Sequence, residues 1–182
     1  MTTAPRRRDP ERRRREIVDA AVAIVLEEGS GAITHRKVAA RAEVPLGSTT
    51  QYFATLDDLR AAALDRLARE VDIWLDALEA AFERDGTTPA TYAAQLHLYL
   101  GDTHLVQSTY ALTSTYDEGH AMNKLWTTRF VEMLCRHLSP TSARALAALS
   151  DGLALHTAVL EQTPDLDFLT HAVTALWELE TR

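Results

Sequence analysis

Apolar residues recur with a helical period along nearly the whole of this chain. Ile17, Ala20, Ala21, Ile24 and Val25 follow the three-four spacing of an amphipathic helix, and Gly29 and Gly31 mark its end. Thr34 then stands as an N-cap before a short apolar face of Val38, Ala39 and Ala42. Thr55 and Asp58 form a capping-box pair ahead of a long stripe of Leu59, Ala63, Leu67, Val71, Trp74, Leu78 and Phe82. That stripe predicts a helix over about 57–84, on the order of 40 Å long at about 1.5 Å per residue, stopped by Gly86. Helices are further predicted over 89–101, within 103–117 and over roughly 120–138. Two more begin at Pro140 and Pro164, each proline taking a first-turn position. No strand signal and no internal repeat interrupts the series, so the pattern predicts an all-α fold.

The stretch "EVPLGSTTQYF", residues 43–53, breaks the rhythm with proline, glycine and a Ser-Thr-Thr run. Wound at about 100° per residue, it turns Thr49 and Phe53 inward. Leu46, Gly47, Ser48, Thr50 and Gln51 then fan across the outside, with Tyr52 at the edge. A short helix pinned by Val44, Thr49 and Phe53 does not depend on propensity. Two short helices around a tight turn make a helix-turn-helix, whose second helix enters the major groove. The outer face suits base reading: Gln pairs with an adenine edge, Ser and Thr hydrogen-bond to bases, and Leu or Thr methyls pack on thymine. Read alone, the stretch is equally a polar loop between helices. The first helix of the pair opens with His35, Arg36 and Lys37, although the helix dipole disfavours cations there by roughly a few tenths of a kcal/mol each. A docked phosphate would relieve that conflict and take the free N–H groups.

Charge sharpens this picture. The net charge of −7 is uneven: residues 1–55 carry 10 Lys and Arg against 7 acids, and residues 56–182 carry 9 against 19. A basic head with seven arginines by Arg15 and an acidic body suit a polyanion at one end only; taken alone, the asymmetry is equally a chance cluster of arginines in a disordered tail. With 46% hydrophobic residues the chain can bury a core, and the lone Cys135 excludes an internal disulfide and fits a reducing compartment. The Arg-rich N-terminus is not followed by an apolar run suited to a signal peptide or membrane span. The composition predicts a cytoplasmic protein with no membrane partner.

Over about residues 12–65 the sequence resembles the TetR-type transcriptional repressors. The likeness rests on the Gly-ended amphipathic helix, Ile33-Thr34 opening a basic short helix, the Val44-x-x-Gly47-Ser48 segment ending in Tyr52-Phe53, and "ATLDDL" at the start of the long helix. Beyond about residue 85 only length and helix count agree. The resemblance implies nine-helix subunits in a homodimer, bound to a double-stranded DNA operator and released by a small hydrophobic effector. It implies a DNA-binding domain over 1–56 (basic arm 1–15, helix-turn-helix 34–53) and a ligand-binding and dimerisation domain over 57–182. Carried over by position, Thr34, His35 and Arg36 contact phosphates, and Lys37 beside them is counted as DNA-binding. Leu46, Gly47, Ser48, Thr50, Gln51 and Tyr52 form the recognition surface. Three residues depart from the family: Glu43 replaces the turn glycine, Leu46 a position often polar or basic, and Leu56 a common phosphate-binding lysine. Glu43 must adopt a left-handed conformation or alter the turn.

The body is rich in aromatics: Trp74, Tyr92, Tyr99, Tyr110, Tyr116, Trp126 and Phe130. Each suits core packing, and together they suit an apolar pocket, for which Trp74, Tyr92, Tyr110 and Trp126 are named. The apolar faces of the last two helices, with Leu146, Leu149, Leu153 and His156 on one and Phe168, Leu169 and Leu176 on the other, predict a four-helix dimer interface. Neither Cys135 with His137 nor His97 with His104 has a ligand spacing, so no metal or other cofactor is expected. No nucleophile-base arrangement or phosphate-cradling glycine motif stands in the chain. A DNA-binding protein without an effector and, further off, an all-α enzyme using the aromatic pocket are the rival readings.

Overall fold

The computed structural model describes residues 9–113 and 118–179. The described residues form nine α-helices with no strand, in two compact units, Met1–Arg66 and Leu67–Arg182.

In the first unit, α1 (Pro10–Glu28) starts where the Asp9 carboxylate accepts the Arg12 N–H at 3.0 Å, with Pro10 in the first turn. It ends at Gly29, whose φ of 85° no ordinary side chain favours, and a short 3-10 turn over Ser30–Ala32 follows. Helix α2 (His35–Arg41) is capped by Thr34, whose hydroxyl accepts the Lys37 N–H at 3.2 Å. Its other end is a Schellman closure. The Val44 N–H donates to Ala39 O at 2.9 Å and the Glu43 N–H to Ala40 O at 3.3 Å. Glu43 is left-handed, with φ 52°. The chain has therefore kept the turn that glycine ordinarily makes and accepted the backbone strain.

Helix α3 (Leu46–Tyr52) follows, and α4 (Leu56–Asp85) opens with the reciprocal Thr55–Asp58 capping box. Ile17, Ala21, Ile24, Ile33, Val38, Phe53, Leu59 and Ala63 are all buried in this unit. The two units divide after Arg66, within α4, where the sequence places the boundary at 56/57; Leu59 and Ala63, in the first turns of α4, fall in the first unit and are fully buried.

The second unit contains the rest of α4, α5 (Pro89–Gly101), α6 (Thr103–Thr113), α7 (Glu118–Cys135), α8 (Pro140–Leu160) and α9 (Leu166–Trp177). Its core gathers Leu78, Phe82, Tyr92, Leu96, Leu100, Leu134, Leu146, Leu169 and Val173. Thr88 and Ser139 cap α5 and α8, with prolines in their first turns as the sequence predicts. Pro164 does not start α9. The Asp165 carboxylate accepts the Phe168 N–H at 2.7 Å, so the helix begins one residue after that cap. Pro164 instead accepts a hydrogen bond through its carbonyl from the His97 ring, 3.1 Å away.

Candidate nucleic-acid interface and ligand cavity

Inside the head, α3 is held from beneath and bare above. Thr49 is fully buried and donates its hydroxyl to Leu46 O at 2.8 Å; Phe53 and Val44 are buried beside it. Arg14 of α1 stacks over the Phe53 ring, 5.0 Å from its centroid. Leu46, Gly47, Thr50 and Gln51 are exposed, and Ser48 and Tyr52 are half-buried at the margin. The sequence-named reading residues thus share one surface, with Leu46 still 52% exposed. A Cβ placed on Gly47 would meet no atom of this chain within 4 Å, so packing within the subunit does not require glycine there.

The start of α2 is only partly as expected. Thr34 caps the helix, Arg36 points to solvent, and His35 is half-buried with a buried Nδ1 that has no hydrogen-bond partner. Lys37 is not a free cation. Its Nζ lies 2.7 Å from the Glu28 carboxylate at the end of α1. Arg41 is held the same way by Glu27, and that hydrogen bond also draws the Glu27 carboxyl below its usual range. Lys37 and Arg41 sit on the side of α2 that faces the acidic last turn of α1, an adjacency invisible to a reading of α2 alone. On α1, Arg12 and Arg13 both pair with Glu16, at 3.1 and 2.9 Å. The first eight residues of the basic arm lie outside the described residues.

The second unit holds a partly open cavity of about 120 Å³ lined by residues of α4 to α8. Trp74 forms one wall, its ring 4.7 Å from that of Tyr99 and 5.4 Å, edge-on, from that of Phe130. Trp126, Thr127 and Phe130 come from α7, Thr109 from α6, and Ser150 and Asp151 from α8. The Tyr99 hydroxyl donates to Thr109 Oγ1 at 2.9 Å, and burial pushes its pKa up to about 12. Partial desolvation also raises the carboxyl of Asp151, the one carboxylate among the described residues of the wall. Trp74 Nε1 is a buried donor with no hydrogen-bond partner among the described residues.

Of the four residues named for this pocket, Trp74 and Trp126 line it. Tyr92 and Tyr110 do not. Tyr92 lies wholly inside the core, its hydroxyl 2.8 Å from Ser150 Oγ and its ring near Phe82 and Trp177. Tyr110 follows Thr109 on α6, and the extra 100° of helix turn leaves it 43% exposed. Tyr99 and Phe130 were legible as aromatics, but nothing in sequence spacing separated them from Tyr92. Tyr116 lies outside the described residues. No group of three potential metal ligands occurs among the described residues.

The expected dimer face also needs correction. Leu146, Leu153 and Leu169 are buried in the core of a single subunit, because the inner stripe of α8 and α9 faces α5 and α7. Leu149 and Leu176 pack partly against the same core. His156 and Phe168 remain exposed, and Leu155, Val159, Leu160 and Leu166 join them as exposed apolar side chains.

No family model matches the chain. A solved structure of a TetR-family member from Streptomyces coelicolor A3 superposes with a TM-score of 0.80 at 33% identity, covering 92% of this chain and 99% of that one. The chain belongs to the TetR family. The multidrug binding protein EbrR, in complex with malachite green, aligns at a TM-score of 0.80 and 31% identity over 92% of this chain and 99% of its own. The HTH-type transcriptional regulator BetI of Brucella melitensis is 27% identical over 168 residues, 84% of this chain and 83% of BetI. This TetR-family chain contains no helix, among its described residues, long and apolar enough to cross a membrane.

Proposed function

We propose that this protein is a cytoplasmic, ligand-responsive transcriptional repressor. It binds a pseudo-palindromic double-stranded DNA operator as a homodimer and is released by a small hydrophobic effector. The observation that carries this reading is the double membership of α4. Its first turns contribute Leu59 and Ala63 to the core of the head, and its middle contributes Val71, Trp74 and Leu75 to the cavity wall. A molecule that binds more tightly to one arrangement of this helix than another shifts the population of DNA-competent protein by that difference in affinity.

In the head, α3 presents the reading face and the start of α2, with Thr34, His35 and Arg36, supplies backbone N–H groups and charge for phosphate. Lys37 contributes little, since Glu28 already neutralises it. The aromatic cavity, with Trp74 Nε1 unpartnered, suits a flat apolar molecule bearing a hydrogen-bond acceptor. EbrR, a relative, holds malachite green. The exposed apolar residues Leu155, Val159 and Phe168 supply the face for a second copy.

Selection of bound sites from random duplex DNA, followed by a screen of lipophilic compounds, tests the reading. The expected site is a palindrome, and compounds that quench Trp74 and Trp126 fluorescence release the protein from it. An unsymmetrical site, or quenching compounds that leave DNA binding unchanged, would overturn the proposal.

A further inference from the structure

We infer that the base steps touched by α3 are A·T pairs, read through thymine methyl groups packed on Leu46 and Thr50 and an adenine edge held by Gln51. This rests on the DNA-binding reading above and adds which bases the head selects.

Helix α3 is Leu-Gly-Ser-Thr-Thr-Gln-Tyr and carries no Arg, Lys, Asp or Glu. The commonest guanine reader is a bidentate Arg or Lys on O6 and N7, and the usual cytosine reader is a carboxylate on N4. Neither is present on this helix. Neighbouring cations are committed elsewhere: Lys37 to Glu28, Arg41 to Glu27, and Arg14 to the face of Phe53. Arg36 stands in the first turn of α2, among the groups assigned to phosphate.

What α3 does present is apolar and amide surface. Leu46 is 52% exposed at its first position. Thr50, one turn on and on the same side, donates its hydroxyl to Gly47 O at 3.2 Å. That hydrogen is spent within the helix, so the side chain offers no further donor and presents its γ-methyl beside a hydroxyl oxygen that can only accept. The thymine C5 methyl is the one apolar group that an unmodified base pair shows in the major groove. Gln51, exposed and next along the face, has the adjacent donor and acceptor that adenine N6 and N7 require. Thr49 takes no part, being buried with its hydroxyl on Leu46 O. Between these residues Gly47 leaves the helix surface bare, with open space where a Cβ would stand, so the face can come close to the bases.

The test uses the full chain and the operator obtained from random duplex DNA. Each thymine of a half-site is replaced in turn by deoxyuridine, which removes the C5 methyl alone. Binding is measured for the wild type, Leu46→Ala, and Thr50→Ser, which keeps the hydroxyl and loses the methyl. Both variants are checked against the wild type for unchanged melting, as expected for exposed side chains. The expected result is A·T pairs at the steps that respond to α3 variants. One or two thymines should lose about fourfold in affinity as uracil, the worth of one buried methyl. That loss should vanish in Leu46→Ala at one position and in Thr50→Ser at the same or the adjacent one. Guanines at those steps, indifference to every uracil, or a uracil penalty unaltered by both variants would overturn the inference while leaving the DNA-binding reading standing. No enriched sequence at all would overturn both.

Discussion

Glu43 holds a left-handed conformation that costs an ordinary residue about 1–2 kcal/mol relative to glycine. The Schellman hydrogen bonds of Val44 and Glu43 to Ala39 and Ala40 hold it there, and burial of Ala39 and Val44 on either side secures the turn. Replacing Glu43 by Gly removes the strain but gives the unfolded chain more freedom, worth about 0.5–1 kcal/mol in the other direction. The net expectation for Glu43→Gly is a head more stable by about 0.5–1 kcal/mol. Urea unfolding followed by circular dichroism measures this, and an unchanged or lower midpoint would show that the turn is not strained. The sequence exposed this position as an anomaly. The backbone angle then showed which of the two permitted responses the chain had taken.

Among the helices of the body, the tyrosines of α5 show how packing becomes pH dependence. Tyr99 sits against Thr109 of α6, and Tyr92 against Ser150 of α8. Burial favours the neutral phenol of both, lifting Tyr99 from 10.0 to about 12 and Tyr92 further in the same direction. A phenol whose folded-state pKa is raised binds its proton more tightly in the fold than in the unfolded chain. Its contribution to stability is therefore fully present below pH 10 and is lost as pH rises through about 12. Melting temperatures should fall across that window. Tyr99→Phe should begin about 1 kcal/mol less stable through loss of the Thr109 hydrogen bond, yet decline less steeply with alkali. Thermal melts over this range, with tyrosinate absorbance followed in parallel, decide the matter. Equal slopes for variant and wild type would remove Tyr99 from the effect. Element ends tell a parallel story: the Thr34 and Thr55 caps were readable because a cap is a local hydrogen bond. At α9 two local signals competed, and the carboxylate of Asp165 prevailed over Pro164.

At the scale of the molecule, the surplus of basic over acidic residues lies towards the N-terminus. Leu155, Val159 and Phe168, on the last two helices, are among the exposed apolar side chains. If these apolar side chains form the face for a second copy, Phe168→Asp should convert a dimer to a monomer in sedimentation experiments. Melting should stay cooperative, because the neighbouring Leu169 and Val173 keep their places in the core. The monomer should then lose most of its affinity for a palindrome while still binding half-sites weakly. A Phe168→Asp protein that sediments as a dimer would place the interface elsewhere. Leu169→Asp would be no test of association, since a charge at that buried position unfolds the subunit itself.

Hydrophobic periodicity, caps and the 43–53 interruption sufficed to place the helices and the exposed face of α3, because each depends on residues within a turn or two of one another. The inward Thr49 and Phe53 and the outward Leu46, Thr50 and Gln51 follow from helical pitch alone. Tertiary structure decided everything that depends on which side of a helix meets which neighbour. It coupled Lys37 to Glu28, sent Tyr92 into the core and Tyr99 to the cavity, and enclosed Leu146 and Leu169 while leaving Phe168 outside. An apolar stripe shows only that a side chain prefers company. The packing of several helices determines whether that company is the subunit's own core, a cavity wall or an exposed face.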